Sequence, residues 1–265
     1  MKRTLRVTPG ADVLGAEVDG LDPASLTDQA ARDKLMAALV EHKVLVARGA
    51  HFDAADLMTV SSALGEPTVH PIFPHLDGYP PIVEVINLGP EIKATSVWHS
   101  DVTFEPEPPS ITMLAAQVLP AGRGDTLFAD QEAALEALDE ATAADIADAR
   151  ALHIGTGAAL LTGSSEAPSA EHPVVRTHPI SGRPSLFVND AFTREVLGLP
   201  DDTGRNLVKR LTRHATQDRF VHRHQWEAGD FVIWDNRSTL HFHVHDYDWA
   251  DRRLLRTTLA GDRPR

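Results

Sequence analysis

The chain changes character near residue 65, and that change constrains its fold more than any other feature. Before it, element types alternate. "LGAEVDGL" (14–21) reads as a strand and turn, and 24–42 as a helix with Ala31, Leu35 and Leu39 four apart. "KVLVARG" (43–49) reads as a buried strand. "DAADLMTVSSALG" (53–65) reads as a helix capped by Asp53, with Leu57, Val60 and Leu64 on one face. After "GEP" come short strand-like runs at 82–87, 97–104, 111–118, 173–178, 185–189, 219–226, 230–234 and 253–260. Turn signals such as "PISGRP" and "EAGD" separate them. Two helices interrupt, at about 131–150 and 201–214. Many short strands with few helices predict a β-sandwich or jelly roll carrying its helices outside. Residues 155–172, "GTGAALLTGSSEAPSAEH", are rich in small side chains and read as a mobile loop of the kind used for lids.

Composition narrows the function. The 265 residues carry a formal charge of −13, which disfavours a nucleic-acid partner. A local arginine cluster can still hold a small anion inside a cleft. Cysteine is absent, so any metal must be held by His, Asp or Glu. The basic N-terminus lacks the apolar core of a signal peptide, and no run approaches the length of a membrane span. A cytoplasmic enzyme with no membrane partner is expected.

Two stretches carry chemistry. In "WHSDVTF" (98–104), His99 and Asp101 would share one face of a strand, since side chains alternate. In "GDFVIWDNRSTLHFHVHDYDWADRRLLRTTLAGDRPR" (229 to the end), His241, His243 and His245 alternate likewise, and Arg252, Arg253 and Arg256 follow. His99, Asp101 and one distal histidine would make a 2-His-1-carboxylate triad, which leaves open positions on a non-haem Fe(II). The competing readings are a hydrogen-bonded His–Asp pair and a three-histidine zinc face over 241, 243 and 245, as in a metal hydrolase. A non-catalytic metal-binding module is a third.

The order "WHSDVTF", "GDTLF", "WDNRSTLHF" and "RRLLRTTLAGD" resembles the taurine dioxygenase (TauD/TfdA) family of Fe(II)- and 2-oxoglutarate-dependent oxygenases. The resemblance runs through "GAEVDGLD", "HKVLVARG", "HPIFPH" (70–75) and "HPVVRTHPISGRPSLFVN" (172–189). It implies a single domain over 1–265, mainly β with flanking helices around a double-stranded β-helix (jelly roll, cupin-like) core, with lid segments near 70–95 and 155–172. It implies His99, Asp101 and His241 as ligands of Fe(II). Thr126 and Arg252 would hold the distal carboxylate of 2-oxoglutarate, and dioxygen would be the oxidant. A guanidinium suits that task because its planar fork matches a carboxylate.

On the substrate side the resemblance implies His70, Phe73, Thr95, Val102 and Arg256. Phe73 and Thr95 depart from the tyrosine and asparagine of taurine-specific members. An anionic substrate other than taurine is therefore expected: a sulfonate, alkyl sulfate or carboxylate, hydroxylated with release of succinate and CO₂. A biosynthetic oxygenase acting on an amino acid or natural-product intermediate is the alternative within the family. Family members commonly form dimers or tetramers, so a homo-oligomer is expected. Arg253, between the two functional arginines, should be a solvated charge.

Overall fold

The computed structural model describes residues 4–87 and 96–265. Its centre is a large sheet and a small sheet. The large sheet runs in the order Arg6–Pro9, Ala16–Asp19, Val44–Ala47, Phe231–Asp235, Ile111–Val118, Arg253–Leu259, Tyr79–Ile86 and His75–Leu76, with Pro67–Thr68 paired to Arg253–Leu259. The small sheet is Val221–His224, Thr126–Asp130 and Thr239–His243. Neighbours are antiparallel except Ala16–Asp19 with Val44–Ala47.

The strand Phe231–Asp235 is buried on both faces, so its sequence FVIWD shows no polar alternation. Phe231 and Ile233 face a core shared with the helices Gln29–His42 and Ala54–Leu64 through Leu35, Leu39, Leu57 and Val60. Val232 and Trp234 face the opposite way, into the space between the sheets, against Phe128 and Trp226. Each of these large side chains contributes roughly 1.5–3 kcal/mol by leaving water. A second core gathers around the helix Asp201–Ala215 through Val208, Leu211, Ile146 and Val188.

Local signals explain the helices. Asp53 accepts from the backbone of Asp56, whose side chain bonds back, and so forms a capping box. The expected helix at 24–42 is a 3₁₀ turn, Pro23–Thr27, followed by Gln29–His42, because Asp28 starts a new helix by accepting from Ala30 N. The expected helix at 131–150 is likewise divided. Gln131–Glu136 ends, Asp139 caps Glu140–Ile146, and Arg150–Ile154 is already a strand.

The stretch read as a loop at 155–172 builds the helix Thr156–Thr162 and enters the strand Ser169–Pro173. Small residues there serve packing. A Cβ on Gly155 would lie 2.8 Å from the Phe104 ring. Within 70–95, the segment Tyr79–Ile86 is a strand of the large sheet; Thr95 lies outside the described residues. No helix among the described residues is long and apolar enough to cross a membrane.

Candidate active site

His99 and His241 are joined backbone to backbone. His99 N donates to His241 O at 3.0 Å, and His241 N donates to His99 O at 2.7 Å. This isolated bridge brings the imidazoles together with centroids 4.1 Å apart and planes tilted by 44°. The expected strand at 97–104 is limited to that bridge, because the chain turns at Asp101–Phe104. Asp101 therefore reaches the histidines from a turn and not by strand alternation.

The turn is tight. Val102 has φ +50°, a conformation that a β-branched residue rarely adopts and that costs roughly 1–3 kcal/mol. A buried polar cluster holds it. His172 Nε2 donates to the carbonyls of Thr103 (2.9 Å) and Glu105 (3.1 Å). His153 Nδ1 pairs with Thr103 Oγ1 at 2.9 Å, and Asn189 donates to the same hydroxyl.

Asp101 Oδ1 lies 4.0 Å from His99 Nε2 and 3.8 Å from His241 Nε2. The three ligand atoms all lie within 4.8 Å of one another, and all three residues are buried. His99 Nδ1 sits 2.7 Å from the carbonyl of Val97, so it carries the proton and Nε2 keeps its lone pair for the centre of the triad. Burial lowers the pKa of both histidines, which favours the neutral form that ligates metals. Burial alone would raise the Asp101 carboxyl. Arg256 is the largest influence against it, and the group is held well below the usual carboxylate range. Arg256 Nη2 bonds Asp101 Oδ1 at 2.9 Å, while Oδ2 accepts from Thr112 Oγ1 at 2.6 Å. Two neutral imidazoles and one carboxylate, converging and dehydrated, suit a divalent cation of borderline hardness.

His70 is buried, and both nitrogens of its ring have defined roles. Nδ1 accepts from Ile72 N and Phe73 N at 3.2 Å, so Nε2 carries the proton. Burial and the nearby Arg256 lower its pKa to about 4, so it is a neutral donor. Phe73 packs on its ring at 4.8 Å. Val102, Phe104, Ala158, Ile72 and Phe192 form an apolar cluster. Phe192 stands edge-on to both His99 and Phe104, and Phe104 lines a cavity of about 430 Å³ with Ile72 and Ala158.

Thr126 opens the small-sheet strand Thr126–Asp130, and Arg252, just before the large-sheet strand Arg253–Leu259, comes against the chain leading into it. Thr126 Oγ1 accepts from Trp226 Nε1 at 3.1 Å, so its own proton is free for another acceptor. Arg252 is buried. Among the described residues its Nη2 reaches the carbonyl of Gly124, at 3.4 Å, and its buried Nε has no partner. Burial lowers its pKa to about 10. A buried guanidinium without an anion is costly, and a carboxylate is the group that would satisfy it. Arg253 is exposed, and where a solvated charge was expected it pairs with half-buried Glu84 at 2.9 Å.

The three-histidine face does not form. The strand ends at His243, whose Nε2 lies 2.7 Å from Tyr247 Oη, and His245 packs on the Tyr247 ring at 4.5 Å. Among the described residues, the metal-competent group is His99, Asp101 and His241. Sequence reading missed Thr112, His153, His172 and Phe192. Only Thr112 left a signal, as a hydroxyl in the apolar run ITMLAAQV.

Such a sandwich of a large and a small antiparallel sheet, with a His-x-Asp turn bridged to a distal histidine, is the architecture of a jelly-roll metal-dependent oxygenase. A sequence profile described as "Taurine catabolism dioxygenase TauD, TfdA family" matches residues 5–258, and the chain belongs to that family. It is an α-ketoglutarate (2-oxoglutarate)-dependent dioxygenase. It is 35% identical to an "Alpha-ketoglutarate-dependent sulfate ester dioxygenase" of Pseudomonas putida, over 98% of this chain and 91% of that one. It is 30% identical to an "(S)-phenoxypropionate/alpha-ketoglutarate-dioxygenase" of Delftia acidovorans, over 100% and 97%. The crystal structure of a putative alpha-ketoglutarate-dependent taurine dioxygenase from Burkholderia xenovorans superimposes with TM-score 0.89 at 29% identity, covering 98% of this chain and 94% of that one.

Proposed function

We propose that His99, Asp101 and His241 hold Fe(II), that Thr126 and Arg252 hold the distal carboxylate of 2-oxoglutarate, and that Arg256 and His70 receive the anionic group of an organic substrate. The observation that carries this reading is a three-donor face and, apart from it, a buried guanidinium that meets the Gly124 carbonyl just before the strand Thr126–Asp130 and whose Nε has no partner among the described residues. A metal hydrolase would have no use for that second feature. When bound, iron and 2-oxoglutarate supply the activation of dioxygen, with succinate and CO₂ as products.

The chain's own residues bind, orient and exclude water. Thr112 fixes the Asp101 carboxylate by holding Oδ2. His70 offers a neutral N–H, and Arg256 a charge, to an anion beside the triad. The apolar cluster of Val102, Phe104 and Phe192 keeps that neighbourhood dry, which strengthens every electrostatic contact in it. The substrates named for the relatives, a sulfate ester, a phenoxypropionate and taurine, all carry an anionic group. We place this enzyme's substrate in the same class of small or medium anions, with an apolar body against Phe104 and Ile72.

Anaerobic addition of Fe(II) and 2-oxoglutarate should give a visible charge-transfer band, lost in His99→Ala. Under air, succinate release should rise with a member of a panel of sulfate esters, sulfonates and phenoxy acids. A wild-type enzyme without the band, or turnover that needs neither dioxygen nor 2-oxoglutarate, would refute the assignment.

A further inference from the structure

The small sheet sets three landmarks in line. His241 pairs with Phe128, and His243 with Thr126. Directly opposed residues of an antiparallel pair share a face, so His243 and Thr126 lie side by side. Two residues before Thr126, the Gly124 carbonyl meets Arg252 Nη2. Moving along this ladder by about 6.6 Å for every two residues, one passes from His241, past His243, to the Gly124 carbonyl that meets Arg252. His243 therefore occupies the middle of the path between metal face and guanidinium.

Its ring is fixed there. Tyr247 Oη bonds Nε2 at 2.7 Å. Tyr247 is itself confined. Arg252 Cζ lies 5.7 Å from its ring centroid and His245 packs on it at 4.5 Å. A Cβ on Gly124 would come within 3.3 Å of the ring and 3.1 Å of Arg252 Nε. Gly124, with φ +77°, is thus required both by its backbone and by the close approach of these two side chains.

We propose that His243, locked by Tyr247, is a specificity-determining residue that gauges the length of the 2-oxo acid accepted between the triad and Arg252. The ring narrows the path midway, so a chain with two methylenes between its keto carbon and distal carboxylate fits, and one with three must buckle against a side chain that cannot swing away. The inference rests on the assignment of Arg252 to the co-substrate carboxylate. One surplus methylene in a fitted pocket is worth about 10- to 200-fold in discrimination.

The test is equilibrium binding to the Fe(II)-loaded enzyme without oxygen, read from the charge-transfer absorbance with 2-oxoglutarate and with 2-oxoadipate. Wild type should prefer 2-oxoglutarate by about tenfold or more. His243→Ala should bring the ratio of dissociation constants close to one. His243→Phe keeps the bulk and the packing on the Tyr247 ring (5.5 Å between centroids) without the hydrogen bond, guards against a general loss of structure, and should retain most of the preference. An unchanged ratio in His243→Ala, a ratio lost equally in both variants, or no preference in wild type overturns the proposal. If wild type binds 2-oxoglutarate tightly but His243→Ala leaves the ratio alone, only this inference fails. If wild type binds neither acid, the assignment of Arg252 fails and the inference falls with it.

Discussion

Thr112 holds the far oxygen of Asp101. Its hydroxyl donates to Oδ2 at 2.6 Å and accepts from Asn236 Nδ2 at 2.7 Å, which leaves Oδ1 turned toward His99, His241 and Arg256. Asn236 is in turn fixed by Trp234 Nε1 at 3.0 Å. A buried chain from Trp234 to Asp101 therefore orients a ligand carboxylate. Thr112→Val keeps the shape and removes the hydroxyl. Divalent metal affinity should fall about 10- to 100-fold, the usual effect of losing a partner that orients a ligand. Titration with Mn(II) or Fe(II) without oxygen checks it, and an unchanged dissociation constant would show that Thr112 does not set the carboxylate.

Much of this was readable from sequence where signals were local. The Asp53 cap and the shared face of Leu57, Val60 and Leu64 announced the helix Ala54–Leu64, and the run ITMLAAQV announced a strand. His99 and Asp101 were legible as a pair for a different reason from the one the fold uses. Alternation on a strand was expected, but a bridge and a strained Val102 turn bring them together. The supports of that turn, His153 and His172, were not legible, because they come from strands remote in sequence and their role exists only after the chain has folded around Thr103. The two divided helices were missed through local signals that lost to the overall helical pattern. Asp28 and Asp139 are both N-caps placed inside what looked like continuous helix.

Arg252 separates charge from shape. Arg252→Lys keeps a cation but loses the planar fork, and Arg252→Ala also leaves the co-substrate carboxylate buried without its charge. The dissociation constant for 2-oxoglutarate should rise about tenfold in the first and 100-fold or more in the second, in line with roughly 1.5–3 kcal/mol for hydrogen bonds to charged groups. Calorimetry on the metal-loaded, oxygen-free enzyme reads this directly. Equal, small effects in both variants would mean that the carboxylate sits elsewhere.

Gly155 tests the apolar wall. Its missing Cβ is what lets the Phe104 ring approach, since an added methyl would sit 2.8–3.0 Å from three ring atoms. Gly155→Ala should displace Phe104 and with it the contact to Phe192, at a cost of about 1–3 kcal/mol for overpacking. The Michaelis constant for a substrate with an apolar body should rise more than that for 2-oxoglutarate, whose proposed site lies at Thr126 and Arg252. A parallel rise in both constants would show that the wall does not line the substrate side.

His153 makes stability depend on pH. It is fully buried, and burial, followed by the neighbouring His172, lowers its pKa from 6.5 to about 3. Between those values the unfolded chain binds a proton that the folded chain refuses, so stability rises with pH across that window. The contribution is complete above pH 6.5 and is lost as pH falls toward 3, by about 1.4 kcal/mol per unit. Acidification from pH 6.5 to 5 should therefore remove roughly 2 kcal/mol through this residue. His153→Gln keeps a polar side chain near Thr103 but cannot titrate. Its stability at pH 7 should be lower than wild type, because the fitted ring is gone, yet it should lose about 2 kcal/mol less on going to pH 5. Urea midpoints of both proteins at the two pH values give the double difference, in which the other buried histidines and metal binding largely cancel. An identical acid loss in wild type and variant would mean that His153 accepts its proton in the folded state as readily as in the unfolded one.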